Sequence, residues 1–255
     1  MSSVETHAAD GIRTIVLNRP QRRNAIDADL QRQLVAALAA FDGDDDDRVA
    51  ILTGADPAFC AGMDLTELGA GRLPFSAETT YADAMRACRK PVIGAVNGPA
   101  VAGGFELALA CDFLVASERA CFADTHARVG VLPGGGLTVY LTQAVGVRRA
   151  RQLSLTGEFV DAPRALRDGL VNEVVPHGQL LPRATELART IAGLDAPMVA
   201  GVRAAYERVL NQPADDALDA EVAASRDAGI PLESVRAAAP GLLDAGSASV
   251  ERGAT

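Results

Sequence analysis

No stretch of this 255-residue chain stays apolar for the roughly 18 residues that suggest a membrane span. Its start, MSSVETHAAD, lacks the charged, apolar and small-residue order of a secretory leader, so none is expected. Basic residues are outnumbered. The 24 Lys and Arg against 33 Asp and Glu leave a formal net charge of −9. With no basic stripe to offset it, this argues against non-specific nucleic-acid binding and leaves room only for a local basic pocket that takes an anionic small molecule. Cysteine is scarce too. Cys60, Cys88, Cys111 and Cys121 stand far apart without metal-type pairing and read as buried thiols in a reducing cytoplasm. His7 and His177 lie near strand or loop ends without partners at metal spacing and read as surface residues, so no metal is expected. The acidic block DGDDDD (42–47) lacks the alternating ligands and terminal Glu of a calcium loop and reads as a solvated turn. There is no short-period repeat and no low-complexity linker.

What remains is an ordinary soluble globular composition, 49% hydrophobic and 22% charged, long enough for one large domain or a domain with an appendage. GIRTIVLNRP reads as a strand stopped by proline, and Asp27 to Phe41 as a helix with Asp27 as its N-cap. RVAILTG, KPVIGAVNG, FLVAS and Leu170–Val175 read as further strands, with a helix over about Ala77 to Arg89. This order predicts an α/β architecture. Three helical stretches follow, Gly178 to Gly193, Pro197 to Asn211 and Asp215 to Gly229, separated by Pro, Gly and Asp breaks.

One charge is out of place. In VAGGFELALACD (101–112) the carboxylate of Glu106 is the only one before Asp112. On a helix opening at Gly103 or Gly104 it shares a face with Ala102, Gly103, Leu109 and Ala110, none of them polar. A solvated helix face would carry other charges. The first N–H groups of a helix have no internal partner, and glycine lets a ligand approach them. A Gly103 N–H and a Glu106 carboxylate facing one pocket suit a reaction that builds negative charge on a carbonyl oxygen while a proton moves nearby. A second donor is available in PAFCAGMDLTEL (57–68), at the small-residue turn Ala61–Gly62; Asp64 and Glu67 there have the spacing of a capping box.

IGAVNGPAVAGGFELALACDF (93–113) resembles the signature segment of the crotonase superfamily, the enoyl-CoA hydratase/isomerase family. NRPQRRNAID, FCAGMDL, LPGGGLT, LTGEFVDA and GLVNEVV follow in that family's order, so that the resemblance runs from about residue 4 to 250. It implies a crotonase-like spiral of ββα units over 1–195, carrying the active site, and a C-terminal helical region over 196–255 used for packing and oligomerisation. It also implies a homotrimer or hexamer acting on acyl-CoA thioesters, with coenzyme A as part of the substrate and no separate cofactor. By position, Ala61 and Gly103 supply the two backbone N–H groups that hold a thioester enolate. Arg22 or Arg23 lies near the CoA phosphates, with a solvated surface charge as the other reading of each, and Ala25 lies beside the adenine. Cys60, Gly62, Met63, Asp64, Leu65, Gly104, Pro133 and Gly134 line the substrate site.

Hydratases of this family use two glutamates. Glu106 matches the one that activates water, but His126 holds the place of the second. An imidazole can hold and give a proton, so His126 either protonates the α-carbon or positions the water, or it is a satisfied polar residue beside the pocket and water delivers the proton. Asp124, two residues earlier on an extended segment, either orients His126 or replaces it. Leu137 stands where the family has glycine and makes the pocket wall bulkier. Val101–Ala102 in place of a leading glycine is a mild change. Cys60 beside the donors invites a covalent acyl-enzyme reading, against which no base or cation stands nearby. Tyr140 reads as packed within its helix. The expected activity is hydration of a 2-trans-enoyl-CoA by a cytoplasmic lyase. Double-bond isomerisation, thioester hydrolysis and non-catalytic acyl-CoA binding stay open.

Overall fold

The computed structural model describes residues 2–64, 66, 67 and 79–209. Leu65, the start of the helix expected from Ala77, and the stretch Asp215–Gly229 lie outside them. By internal contacts the chain divides into units 1–200 and 201–255.

Strands β1 (Val4–Ala9) and β2 (Ile12–Leu17) form an antiparallel hairpin. Helix α1 (Ala28–Gly43) follows, with the Asp27 carboxylate accepting the Leu30 N–H at 2.8 Å as its N-cap. Next come β3 (Val49–Gly54), α2 (Tyr81–Ala87), β4 (Val92–Val96), β5 (Ala100–Val101), α3 (Gly103–Leu109), β6 (Phe113–Ser117) and β7 (Cys121–Ala123). The described chain continues through α4 (His126–Val129), α5 (Leu137–Val145), α6 (Val147–Thr156), β8 (Val160–Asp161), α7 (Ala162–Arg167), β9 (Glu173–Val175), α8 (Leu180–Ala192) and α9 (Ala196–Val209).

A long sheet runs β1-β2-β3-β4-β6-β9, parallel from β2 onward. A short sheet runs β5-β7-β8. Single parallel bridges, Ile26 to Met63 and Cys60 to Ala100, extend this second layer. Each turn of the chain thus gives one strand to the long sheet and one segment to the short layer: β2 then Ile26, β3 then Cys60–Met63, β4 then β5, β6 then β7. This is the expected spiral of ββα units.

The central strands β3 and β4 of the long sheet are buried on both faces, which explains why they read as unbroken apolar runs. Ala50 and Leu52 join the main core with Leu30, Leu34, Leu38 and Phe41 of α1. Ile51, Ile93 and Val115 face the other way, onto Leu180, Ala184 and Ala188 of α8. No periodicity marked β1, because as the edge strand it is exposed along most of its length.

The acidic block is not a solvated turn throughout. Arg13 on β2 takes Asp47 at 2.7 Å and Asp44 at 3.0 Å, burying Asp47, and Arg89 takes Asp42 at 2.9 Å. Asp42, Asp44 and Asp47 are matched by arginines far away in sequence, while Asp45 and Asp46 stay exposed. His177, expected at the surface, is only partly exposed and bridges Ser117 Oγ and Asp56 Oδ2, each at 3.0 Å.

One buried amide fixes the loop between β2 and α1. Arg23 and Asn24 both take left-handed φ, 49° and 56°. The fully buried Asn24 donates through Nδ2 to Ala55 O at 2.8 Å and Ala58 O at 2.7 Å. It also reaches Phe59 O at 3.2 Å, and removing it takes this donor from all three carbonyls, leaving Ala58 O with the Asn97 amide at 3.3 Å; a buried carbonyl left unpaired costs about 1–3 kcal/mol. We therefore expect Asn24→Ala to lower the urea midpoint by an amount corresponding to about 2 kcal/mol or more. An unchanged midpoint would show that this amide is not structural.

Candidate active site

Two segments of the short layer place the site. Cys60 N–H donates to Pro99 O at 3.1 Å and Val101 N–H donates to Cys60 O at 2.9 Å, a parallel pairing that holds the turn after Cys60 beside the turn after Val101. The fit leaves no space for side chains. A Cβ on Gly104 would fall 2.0 Å from Cys60 O, and one on Gly62, whose φ is +89°, would fall 2.7 Å from Val101 O and 3.3 Å from Gly103 N. Gly104, expected to line the substrate site, is therefore glycine because the Cys60 main chain passes against it.

Helix α3 opens at Gly103, the earlier of the two expected starts. Its N-cap Ala102 adopts φ 48°, ψ −117°, a backbone region that favours glycine. The alanine for glycine exchange is thus not the mild change expected. The strain is held by hydrogen bonds on both sides, Ala102 N–H to Ala123 O and Glu106 N–H to Ala102 O, each 2.9 Å. It sets the plane of the peptide that carries the Gly103 N–H. Among the described residues that N–H has no acceptor.

The second donor is not Ala61. Its N–H is spent on Arg23 O at 3.0 Å, and the Gly62 main chain bonds the Cys60 thiol. Among the described residues Met63 N–H is uncommitted, and the Met63 side chain lies 3.7 Å from the position a Cβ on Gly103 would take. The uncommitted N–H groups are thus those of Met63 and Gly103, while the Ala61 N–H of the expected pair is already taken.

The same turn is stitched to the first loop. Ile26 N–H donates to Gly62 O at 2.8 Å and Asp64 N–H to Ile26 O at 2.9 Å. Arg19 crosses between them, pairing with Asp27 at 2.9 Å and Asp64 at 3.3 Å. Asp64 also accepts the Thr66 N–H at 3.0 Å and bonds the Glu67 main chain, the capping role expected of it. Arg22 and Arg23 stand exposed at the edge of this loop, their guanidinium groups without partners among the described residues, and Ala25 is buried below them.

Glu106 is buried, with 3% of its surface exposed, and both carboxylate oxygens are held. Gly135 N–H donates to Oε1 at 2.7 Å, and the Tyr81 hydroxyl lies 3.1 Å from Oε2. His126 Nε2 lies 3.9 Å from the same Oε2. On its other side His126 Nδ1 meets Asp124 Oδ1 at 2.7 Å, and that oxygen also takes the His126 main-chain N–H at 3.1 Å. Because a carboxylate only accepts, Nδ1 carries the proton and Nε2 faces Glu106. Burial pulls the imidazole pKa down, but the Asp124 hydrogen bond and the charges of Glu106 and Asp124 outweigh it and hold the value above the usual 6.5. Burial likewise pushes Asp124 up, and its bonds to His126 and the Ser154 hydroxyl bring it below the usual carboxylate range. The two describe one ion pair, Asp124 charged and His126 inclined to be.

Gly134, expected to line the site, is exposed with open space around it; the residue that touches Glu106 is its neighbour Gly135. Pro133 is partly exposed and makes no polar contact there. Leu137 does not form a pocket wall, since it is fully buried in the main core. Cys60 has no solvent contact, and burial pushes its thiol up to about 12, which removes the acyl-enzyme reading. Tyr81 and Gly135 were not foreseen. No local pattern joins them to Glu106, 25 and 29 residues away. Among the described residues no three His, Cys, Asp or Glu side chains gather in a way that could hold a metal ion, and no helix is long and apolar enough to cross a membrane.

With this geometry in place, comparison with known proteins is direct. A probable enoyl-CoA hydratase of Rhizobium meliloti is 42% identical over 213 residues, 81% of each chain. A probable peroxisomal enoyl-CoA hydratase of Arabidopsis thaliana is 41% identical over 198 residues, 76% of this chain and 74% of its own. The crystal structure of an enoyl-CoA hydratase from Mycobacterium tuberculosis superposes with a TM-score of 0.75 at 50% identity, covering 87% of this chain and 97% of the other. The family model described as enoyl-CoA hydratase/isomerase matches residues 7–229, and the chain belongs to that family.

Proposed function

We propose that this protein is an enoyl-CoA hydratase-type lyase that adds water across the double bond of a 2-trans-enoyl-CoA. The observation that carries the reading is the buried Glu106 carboxylate, fixed at both oxygens and set one helical turn from the uncommitted Gly103 N–H. The relatives named as hydratases support the same reaction.

In this reading Met63 and Gly103 N–H hold the thioester oxygen as it gains charge. Glu106 takes a proton from water, and the hydroxide adds to Cβ. The π electrons move to the thioester oxygen. They return as His126 Nε2 delivers its proton to Cα, leaving a neutral imidazole. Glu106 then passes its proton back to Nε2 across the 3.9 Å gap, restoring both groups. The sum is one water added and no proton left over. Asp124 keeps the imidazole turned so that Nε2 is the donor. The His126 that departs from the family's two-glutamate pattern is thereby an acid that donates from a cation.

Arg22 and Arg23 meet the CoA phosphates and Ala25 the adenine. Support comes from the loop they occupy, which shares main-chain hydrogen bonds with the 61–63 turn. Cys60, Gly62, Asp64 and Gly104 shape that turn from behind it. Coenzyme A belongs to the substrate, and no further cofactor enters the proposal. Assembly as a homotrimer or hexamer and a cytoplasmic location complete it; the family resemblance supports the first, and four cysteines that form no disulfide support a reducing compartment.

Product analysis over crotonyl-CoA and longer enoyl-CoAs tests the reaction. The 3-hydroxyacyl thioester is expected, and Glu106→Gln is expected to lower kcat by about 10²- to 10⁴-fold. Equal rates in the two proteins would remove Glu106 from the chemistry. The pH profile tests His126. Its acid form is favoured below its raised folded value and is lost as pH rises through it, so kcat falls on the alkaline side. Asp124→Asn removes the supporting charge and is expected to move that fall to lower pH. An alkaline limb that stays in place would assign it to another group.

A further inference from the structure

Tyr81 has no assigned part in the reaction, yet its hydroxyl sits in the middle of the site. The capping box of α2, with Thr80 Oγ1 accepting Asp83 N–H at 3.2 Å and Asp83 accepting Thr80 N–H at 3.0 Å, makes Tyr81 the first residue of that helix. Its ring joins the main core and its side chain is nearly all buried. The hydroxyl reaches two acceptors, Glu106 Oε2 at 3.1 Å and Gly103 O at 3.3 Å. The space around it is reserved. A Cβ on either Gly103 or Gly135 would come within 3.1 Å of the hydroxyl oxygen. Burial, followed by the charge of Glu106, keeps the phenol protonated. The ionisable neighbours are His126, 3.9 Å from the same carboxylate oxygen, and the buried Cys60 thiol.

One proton with two acceptors is the informative feature. We propose that Tyr81 is a positioning residue that follows the protonation of Glu106: it donates to the carboxylate before water is activated and turns to Gly103 O when Glu106 carries the proton. The proposal rests on Glu106 being the base. While the carboxylate is charged, the hydroxyl holds Oε2 on the side facing His126. Once Glu106 is protonated, and until it returns that proton to His126, the carboxyl O–H donates to the phenol oxygen, whose own O–H turns to donate to Gly103 O. No donor is left opposed to a donor, and no buried group loses its partner at either stage. Gly103 also supplies an oxyanion N–H, so one hydroxyl ties the base to the first turn of the helix that holds the enolate.

A Tyr81 that merely fills the core predicts something different, and Tyr81→Phe separates the two because it keeps the ring. We expect kcat to drop by about 10- to 100-fold, the loss of a hydrogen bond to a charged group, with KM within about twofold. In the Glu106→Gln background the same change should have little further effect. Equal losses in both backgrounds, or an unchanged kcat, would overturn the proposal. A second readout does not need turnover. With ¹³C-labelled glutamate, the Glu106 carboxyl resonance is identified by its absence in Glu106→Gln, and it should shift in Tyr81→Phe. No shift would overturn the coupling. A shift in a protein that hydrates no enoyl-CoA would uphold the coupling and discard the hydratase reading.

Discussion

The structure depends on a parallel pairing of two short segments, Cys60 with Ala100, through Cys60 N–H to Pro99 O and Val101 N–H to Cys60 O. Parallel neighbours end side by side, so the turns that follow them point the same way. Residues 61–63 and 102–104 therefore meet, and the glycines at 62 and 104 are what allow the contact, since a Cβ at either would run into main chain at 2.7 Å or less. The first loop joins the same arrangement through Ala61 to Arg23 and Ile26 to Gly62. A wide spiral is thereby reduced, at one point, to three backbone segments held against each other. Donor groups placed this way have little freedom to reorganise, which is what stabilisation of a developing oxyanion requires.

Against this rigid backbone stands the buried Glu106 carboxylate. Burying a charge is costly unless it is hydrogen-bonded or paired. Glu106 meets that condition with a main-chain N–H on one oxygen, a phenol on the other and an imidazole nearby. Asp124 in turn favours the cationic form of the imidazole, at the point where the family pattern has a second glutamate. Two carboxylic acids sharing a site repel each other when both are ionised, whereas Glu106 and a protonated His126 attract. The exchange of Glu for His therefore changes which protonation state is at rest and leaves the positions of the two proton carriers intact.

Much of this was legible in the residues. Glu106 stood out because an isolated charge in an apolar run has few stable explanations, and Gly103 because the first amides of a helix are unpaired. Asp27 announced its helix through capping chemistry. The parts that were not legible share one cause: they are settled by partners far away in the chain. Whether Ala61 or Met63 offers a free N–H depends on Arg23 O, which no local pattern reveals. Tyr81 enters the site only because α2 packs on α3, and Asp47 is buried only because Arg13 crosses from β2. Edge strand β1 escaped notice for the opposite reason, having little buried surface to pattern.

The central claim is that one thioester oxygen is held by two main-chain amides with Glu106 and His126 beside the adjoining carbons. A crystal structure with a bound acyl-CoA thioester tests it most directly. The account predicts the thioester oxygen within about 3.2 Å of both Met63 N and Gly103 N, with Cα and Cβ turned toward the two side chains. A thioester oxygen bound at some other pair of donors, or acyl carbons facing away from Glu106, would contradict it.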